Sequence, residues 1–434
     1  MTIANFLKAS VARWLSSEKR LKFARFRTEL VRKVRRADHI IYYFHRADDP
    51  YCQLMVQVLP DIASRFNVVI KPLVVEKLPA NMYPDPQRYE AYTILDASRL
   101  ARLYGLGFSL SATVPDRLAV GMANRFLASR QSDPAFFTLA EEIGAALWRQ
   151  DLATVRNMCS IADVSEDTLT ENEKKLHELG HYASACLSYG GEFYVGVDRL
   201  DHLERRLNAL GLGDDETGYE IHRLWRYDLE ELERSVSAKT VEVFFSVRSP
   251  FSYVGLELIS ELAEKTGVRL LLKPVLPMMM RGMKVPPAKR GYIFQDTARE
   301  ARLEGVAFGK VVDPLGEATW RAMQIGYALQ DLEKDGQYES GKALTFFRTC
   351  MRAVWSEGVD ASTDKGMAQI LVKSGLATDF EKQALSREET KRRAELNKNE
   401  MFRYGSWGVP TFRVEGETVW GQDRMWAIVD ALKQ

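Results

Sequence analysis

Val241-Glu242-Val243-Phe244-Phe245, followed by Ser249-Pro250-Phe251-Ser252-Tyr253, is the stretch that decides the fold. The first five residues are a short run of β-branched and aromatic side chains, which suits a strand. Ser249-Pro250 then places proline where the first helical residue lacks an intrahelical amide partner anyway. Leu256, Leu258, Ile259 and Leu262 carry an apolar helix to about Lys265. Gly267 breaks it, and Val268 to Leu272 read as a buried strand. Strand, helix and strand in that order predict a parallel pair.

Downstream, the pattern is helical from about Tyr292 to Lys398. Gly408-Val409-Pro410-Thr411-Phe412-Arg413-Val414 and Glu417-Thr418-Val419-Trp420 predict a hairpin around Glu415-Gly416. A last helix is expected from about Gln422 to Leu432. The plan is β-α-β, a long helical insert, then β-β-α, an α/β class.

The same plan occurs earlier in the chain. Ile40 to Phe44 reads as a strand, Pro50 opens a helix, and Val68 to Ile70 precedes Lys71-Pro72 as the later strand precedes Lys273-Pro274. Helices are expected from Tyr92 to Leu179, a closing strand over Glu192 to Val195, and a last helix from Arg199 to Leu210. Tyr92, Asp96, Arg99, Ala101, Arg102, Leu103, Gly105 and Phe108 return 200 residues later as Tyr292, Asp296, Arg299, Ala301, Arg302, Leu303, Gly305 and Phe308. Gly191-Glu192, Gly196 and Asp198-Arg199 return 225 residues later as Gly416-Glu417, Gly421 and Asp423-Arg424. So much order-preserving identity reads as a tandem duplication of a whole domain. The expected division is a basic helix over residues 1–38, a first copy over 39–212, a linker with a helix over 213–238, and a second copy over 239–434.

Four hundred and thirty-four residues are enough for two cores. A net charge of +1 and 46% hydrophobic residues give no global bias toward nucleic acid. The local exception is residues 1–38, with eleven Lys or Arg against Glu18, Glu29 and Asp38. Phe6, Trp14, Leu15, Leu21, Phe23 and Phe26 are interspersed, and no apolar run suits a signal or transmembrane segment. A basic amphipathic helix is expected. One reading is a weak membrane-surface or acidic-partner contact. The other, which the sequence favours, is an extra helix docked on the first domain with its charges solvated. Cys52, Cys159, Cys186 and Cys350 include no CxxC pair, a cytosolic profile that sets the expected localisation as cytoplasmic.

The turn after the first strand of each copy carries the chemistry. A side chain there meets free backbone N–H groups and the positive end of the helix dipole, and a thiolate at that place is stabilised. The window is Ser249-Pro250-Phe251-Ser252 in the second copy and Asp49-Pro50-Tyr51-Cys52 in the first. Taken alone, a serine before proline is ordinarily an N-cap.

The order of elements resembles the thioredoxin fold with the helical insertion of DsbA-type oxidoreductases, though their Cys-Pro-x-Cys is absent. Ser249-Pro250-Phe251-Ser252-Tyr253 resembles 2-hydroxychromene-2-carboxylate isomerases and kappa-class glutathione transferases. The resemblance implies that Ser249 hydrogen-bonds a glutathione sulfur as the catalytic residue. It implies that Ser252, Val409, Pro410, Gln422 and Asp423 help bind the tripeptide. Gly408-Val409-Pro410-Thr411 is similar to the family's cis-proline segment, Trp420 to Arg424 to the segment holding the γ-glutamyl end, and Pro286-Pro287-Ala288 to the stretch before the insert. Phe251, Tyr253, Met278, Met279, Met280 and Met283 would supply an apolar wall for an electrophilic substrate. Val285 stands where relatives carry Asn, Ser246 where they often carry an acid, and Arg248 beside the site is unusual.

The first copy departs further. Asp49 replaces the serine, and Ala185 stands 225 residues before Pro410. It reads as a degenerate domain, a structural partner that makes an intramolecular pseudo-dimer. Cys52 takes the place of the second DsbA cysteine, as a redox thiol or as a small core residue. The implied function is a glutathione-dependent isomerase, transferase or oxidoreductase, using glutathione or a similar thiol. The alternative is a non-catalytic thioredoxin-fold scaffold.

His177-Glu178-Leu179-Gly180-His181 fits the H-E-x-x-H pattern of zinc metallopeptidases. That chemistry needs both histidines on one face of a continuous helix. Gly180 aligns with Gly405 in the repeat, so the helix is expected to end near Gly180 with His181 in a turn. No metal site is therefore expected.

Overall fold

The computed structural model describes residues 3–83, 85–109, 111–159, 166–232 and 239–434. Residues 1–2 of the basic segment and 233–238 of the expected linker lie outside the described residues, as does the side chain of Phe6. Two compact units form: Phe23–His222, and Met1–Lys22 together with Arg223–Gln434. The basic segment comprises two helices, Ile3–Ser16 and Glu18–Val34.

In the unit Phe23–His222, β1 (Ile40–His45) pairs in parallel with β2 (Val69–Val74) and antiparallel with β3 (Cys186–Tyr189). β3 continues through a hairpin to β4 (Glu192–Val195), giving the order β2-β1-β3-β4. The sequence reading has β4 alone here. The run before it is short and polar at Ser184 and Ser188, and only its pairing with β1 makes it a strand. Gly190 and Gly191, at φ 53° and 81°, make the turn between them.

The other unit repeats this arrangement. β5 (Thr240–Phe245) pairs in parallel with β6 (Arg269–Pro274) and antiparallel with β7 (Thr411–Val414), which turns at Glu415-Gly416 into β8 (Glu417–Trp420). The order is β6-β5-β7-β8. The register agrees too: Ile40 faces Val69 in one sheet and Thr240 faces Arg269 in the other, each 200 residues on.

Both first helices start at the proline. Pro50–Arg65 is capped by Asp49 and Pro250–Thr266 by Ser249, the latter closing at Gly267 in the left-handed region. The insert of the second unit comprises Pro287–Leu303, Glu317–Lys334, Lys342–Arg352, Asp364–Lys373 and Arg387–Arg403, with a π-turn at Ala353–Glu357. It locks to the sheet edge through Tyr327, whose hydroxyl donates to the Pro274 carbonyl at 2.8 Å, above a cluster of Leu276, Met323 and Ala394. The first unit's insert comprises Pro86–Tyr104, Arg117–Ser129, Phe136–Trp148, Leu152–Met158 and Glu166–Leu179. The expected linker helix is a 3-10 helix over Ile221–Leu232. At the chain start, the helix Ile3–Ser16 ends against Arg302, which donates to the Ser16 carbonyl at 2.9 Å. The repeated arginine thus satisfies a helix C-terminal acceptor.

Among the described residues, no helix is long and apolar enough to cross a membrane.

Candidate functional site

The end of β5 and the start of β7 lie side by side, with Phe244 opposite Thr411. This register brings the Val409–Pro410 bond, which is cis, beside the Ser249 turn. Gly255 makes the approach close. A methyl there would sit 3.1 Å from both Pro410 Cγ and Phe412 Cζ, and 3.4 Å from Gln422 Cβ. Gly255 is thus a site residue that the sequence reading missed; its only signal is a glycine inside a strong helix.

Ser249 has φ −93° and ψ 117°, and its Oγ accepts the Ser252 amide at 3.1 Å. Its own proton points to the Val409 carbonyl at 3.5 Å, a long contact that holds the hydroxyl loosely. Accepting the amide polarises the O–H bond and leaves its proton facing the cis-proline loop.

Ser252 is fully buried, and its Oγ accepts the Ser246 amide at 3.3 Å. Its role here is to close the turn beneath Ser249. Val409 is half-buried and Pro410 buried, with the Pro410 carbonyl accepting from Gly421 N–H at 3.0 Å. Gln422 is buried against the same helix, and its Nε2 has no hydrogen-bond partner among the described residues. Asp423 pairs with Arg424 at 3.0 Å, just before the last helix, Met425–Lys433.

Around this core, Trp420 packs on Gly408, where a methyl would meet the indole Cε2 at 2.6 Å. Trp407 meets Trp420 edge-on at 5.3 Å. Lys289, in the first turn of Pro287–Leu303, places Nζ 5.8 Å from the Trp407 ring centre. Burial pulls its ammonium down to about 8. Lys289 is a second residue missed from the sequence, where one lysine among many carries no signal.

Tyr253, expected in an apolar wall, is core, with its hydroxyl donating to Ala307 O at 2.8 Å. Met280 packs against the Leu276 cluster, while Met278, Met279 and Met283 stay half-exposed. Arg248 forms a two-pronged pair with Asp313 at 2.7 and 2.9 Å. Trp355 from the π-turn donates to Val247 O at 3.0 Å, so both neighbours of the turn are tied to the insert.

The first unit's turn has the same backbone and different chemistry. Cys52 Sγ accepts the Arg46 amide at 3.3 Å, as Ser252 accepts that of Ser246, and also the Ala185 amide at 3.1 Å. Burial, with the Asp49 charge adding to it, pushes its thiol well above the usual range. That suits a packing residue and not a redox thiol. Asp49 accepts the Tyr51 amide at 2.9 Å and the Ser184 hydroxyl at 2.5 Å.

The H-E-x-x-H residues do not share a helical face. The helix ends at Leu179, Gly180 has φ 94°, His177 is exposed and His181 is buried. The His181 ring stacks on Tyr182 at 4.8 Å, and its Nδ1 accepts the Ala183 amide at 3.2 Å. Among the described residues, no three His, Cys, Asp or Glu side chains are grouped to hold a metal ion.

Residues 240–433 match the DSBA-like thioredoxin domain family. Similar proteins include glutathione S-transferase kappa 1 of Rattus norvegicus, 26% identical over 208 residues, which are 43% of this chain and 88% of that protein. A 2-hydroxychromene-2-carboxylate isomerase of Pseudomonas putida is 26% identical over 204 residues, 44% of this chain and 93% of the isomerase. Among solved structures, a 2-hydroxychromene-2-carboxylate isomerase aligns over 45% of this chain and 94% of its own, with 24% identity and TM-score 0.37. A cytosolic disulfide reductase, DsbM of Pseudomonas aeruginosa, aligns over 44% and 97%, with 20% identity and TM-score 0.33.

Proposed function

We propose that residues 239–434 bind glutathione or a related small thiol at the Ser249 turn and use it on an electrophilic substrate, as a glutathione-dependent isomerase, transferase or oxidoreductase. The observation that carries this is the Ser249 hydroxyl, polarised by its cap bond and aimed past a helix N-terminus at the cis-proline loop. The donor set suits a tripeptide thiolate. Ser249 offers an O–H, the helix Pro250–Thr266 offers its N-terminal field, and Gln422, whose Cβ faces Gly255, offers a buried Nε2 without a partner among the described residues. When bound, the thiol supplies a sulfur nucleophile.

Within this reading the protein's residues act on charge and access. Ser249 turns its proton from Val409 O toward the sulfur and lowers its pKa by favouring the ionised form. Lys289, cationic below about pH 8, adds positive potential next to the Trp407–Trp420 wall. Val409 offers its half-buried backbone as an edge for an extended peptide. The first unit takes no part in this chemistry, because an ionised carboxylate at Asp49 repels a thiolate. The similarity to a glutathione transferase and to an isomerase supports the substrate class.

Calorimetric titration of the full chain with glutathione tests the reading. Heat with one-site stoichiometry, lost in Gln422→Leu, is the expected result. No heat for the wild type yields the site to a non-catalytic scaffold, the reading that Val285 in place of the family's Asn favours.

A further inference from the structure

We propose that the outer face of the helix Glu18–Val34 docks on the surface of an anionic phospholipid bilayer. The helix has two faces of opposite character. Leu21, Arg25, Glu29 and Arg32 are half-buried and form its inner side. Arg25 clasps Glu192 through two bonds of 2.8 Å, fixing how the helix is rotated. Phe23, Phe26, Leu30 and Val34 follow helical spacing on another side, roughly 150° around. They are 64%, 64%, 50% and 77% exposed. No residue of this helix is buried.

An apolar stripe held outward by an ion pair on the opposite side is costly to leave in water. Its surroundings identify the occupant. Lys19, Lys22 and Lys33 border one edge, Arg20 and Arg27 the other, and all but the half-buried Arg20 are exposed. The acids Glu18 and Glu29 lie toward the inner side, where Glu29 is held by Arg32 at 2.6 Å. Aromatic and aliphatic side chains along the middle with cations at both edges match the interface of a bilayer carrying negative headgroups. Arg and Lys stems also let the charged heads reach the phosphates while the stripe sinks to the acyl boundary.

The test is sedimentation of the full chain with vesicles, either pure phosphatidylcholine or with about one third phosphatidylserine. Binding to the anionic vesicles only, weakened by salt, is expected. Phe23→Ser with Phe26→Ser, and separately Arg27→Glu with Lys33→Glu, should each lower it by roughly tenfold or more. All four side chains are exposed, so folding, followed by far-ultraviolet dichroism, should persist. Absence of wild-type binding, equal binding to neutral vesicles, or insensitivity to either pair of substitutions overturns the proposal. So does a concentration-dependent dimer that Phe23→Ser with Phe26→Ser abolishes, which would assign the stripe to a second copy of the chain.

Discussion

The Ser184 hydroxyl donates to the Asp49 carboxylate at 2.5 Å, and these two residues hold the positions that Val409 and Ser249 hold in the second unit. One unit thus closes internally the gap that the other spans with a long, weak contact of 3.5 Å. The same turn is saturated in one unit and has a proton to give in the other.

Asp49 should make stability fall as pH rises through the carboxylate range. Burial holds its carboxyl above the usual value, despite the lowering effects of Arg46 and Ser184. Over that interval the folded chain keeps a proton that the unfolded chain releases, so alkalinity costs stability. Asp49→Asn keeps a capping oxygen and should remove this slope, whereas Asp49→Ala loses the cap at a cost of about 1 kcal/mol. Urea unfolding at mildly acidic and neutral pH distinguishes the two. An Asn variant that retains the wild-type slope assigns it elsewhere.

Ser249→Ala should leave the fold intact at a cost of about 1 kcal/mol for the lost cap. In the same variant a bound thiol should titrate roughly one to two pH units higher, since one charge-assisted hydrogen bond is worth about 1.5–3 kcal/mol. Thiolate absorbance in the ultraviolet against pH reads this directly. Asp49→Ala should leave that titration curve where it is.

Lys289 gives the opposite sign of pH dependence. Its ammonium is lowered from 10.5 to about 8 by burial. Between those values the unfolded chain binds the extra proton, so stability should rise with pH across that window. Lys289→Met should abolish the rise. Unfolding midpoints at about pH 8 and about pH 10 for both proteins provide the comparison.

Gly408→Ala should destabilise by about 1–3 kcal/mol, because the new methyl meets the rigid indole of Trp420 and not a side chain that can swing away. Thiol binding should weaken with it, since Val409 is the next residue. Combining it with Trp420→Ala should cost less than the two single changes summed. Strict additivity in that cycle would contradict the contact.

Much of the fold was legible because it rests on local signals. Proline after a capping residue marks both helix starts, Glu415-Gly416 marks the hairpin, and Gly180 marks the end of the helix that spoils H-E-x-x-H. The candidate site was legible where residues are close in sequence, at Ser249 and at Val409-Pro410. It was opaque where burial decides. Nothing in the spelling of Ser252 or Tyr253 says that one hydroxyl turns under the helix start and the other reaches Ala307. Lys289 and Gly255 acquire meaning only from neighbours distant in sequence. The first unit's β3 is a strand by partnership with β1, not by composition.

All four cysteines are buried, and those at positions 52, 159 and 350 are pushed toward the protonated form by that burial. Thiol-alkylating reagents therefore find no ready target on the folded chain. The chain thus presents no exposed cysteine thiol of its own. Under the proposed function the sulfur used at the Ser249 turn is borrowed, and its pace follows the surrounding supply of small thiols instead of the oxidation state of the polypeptide.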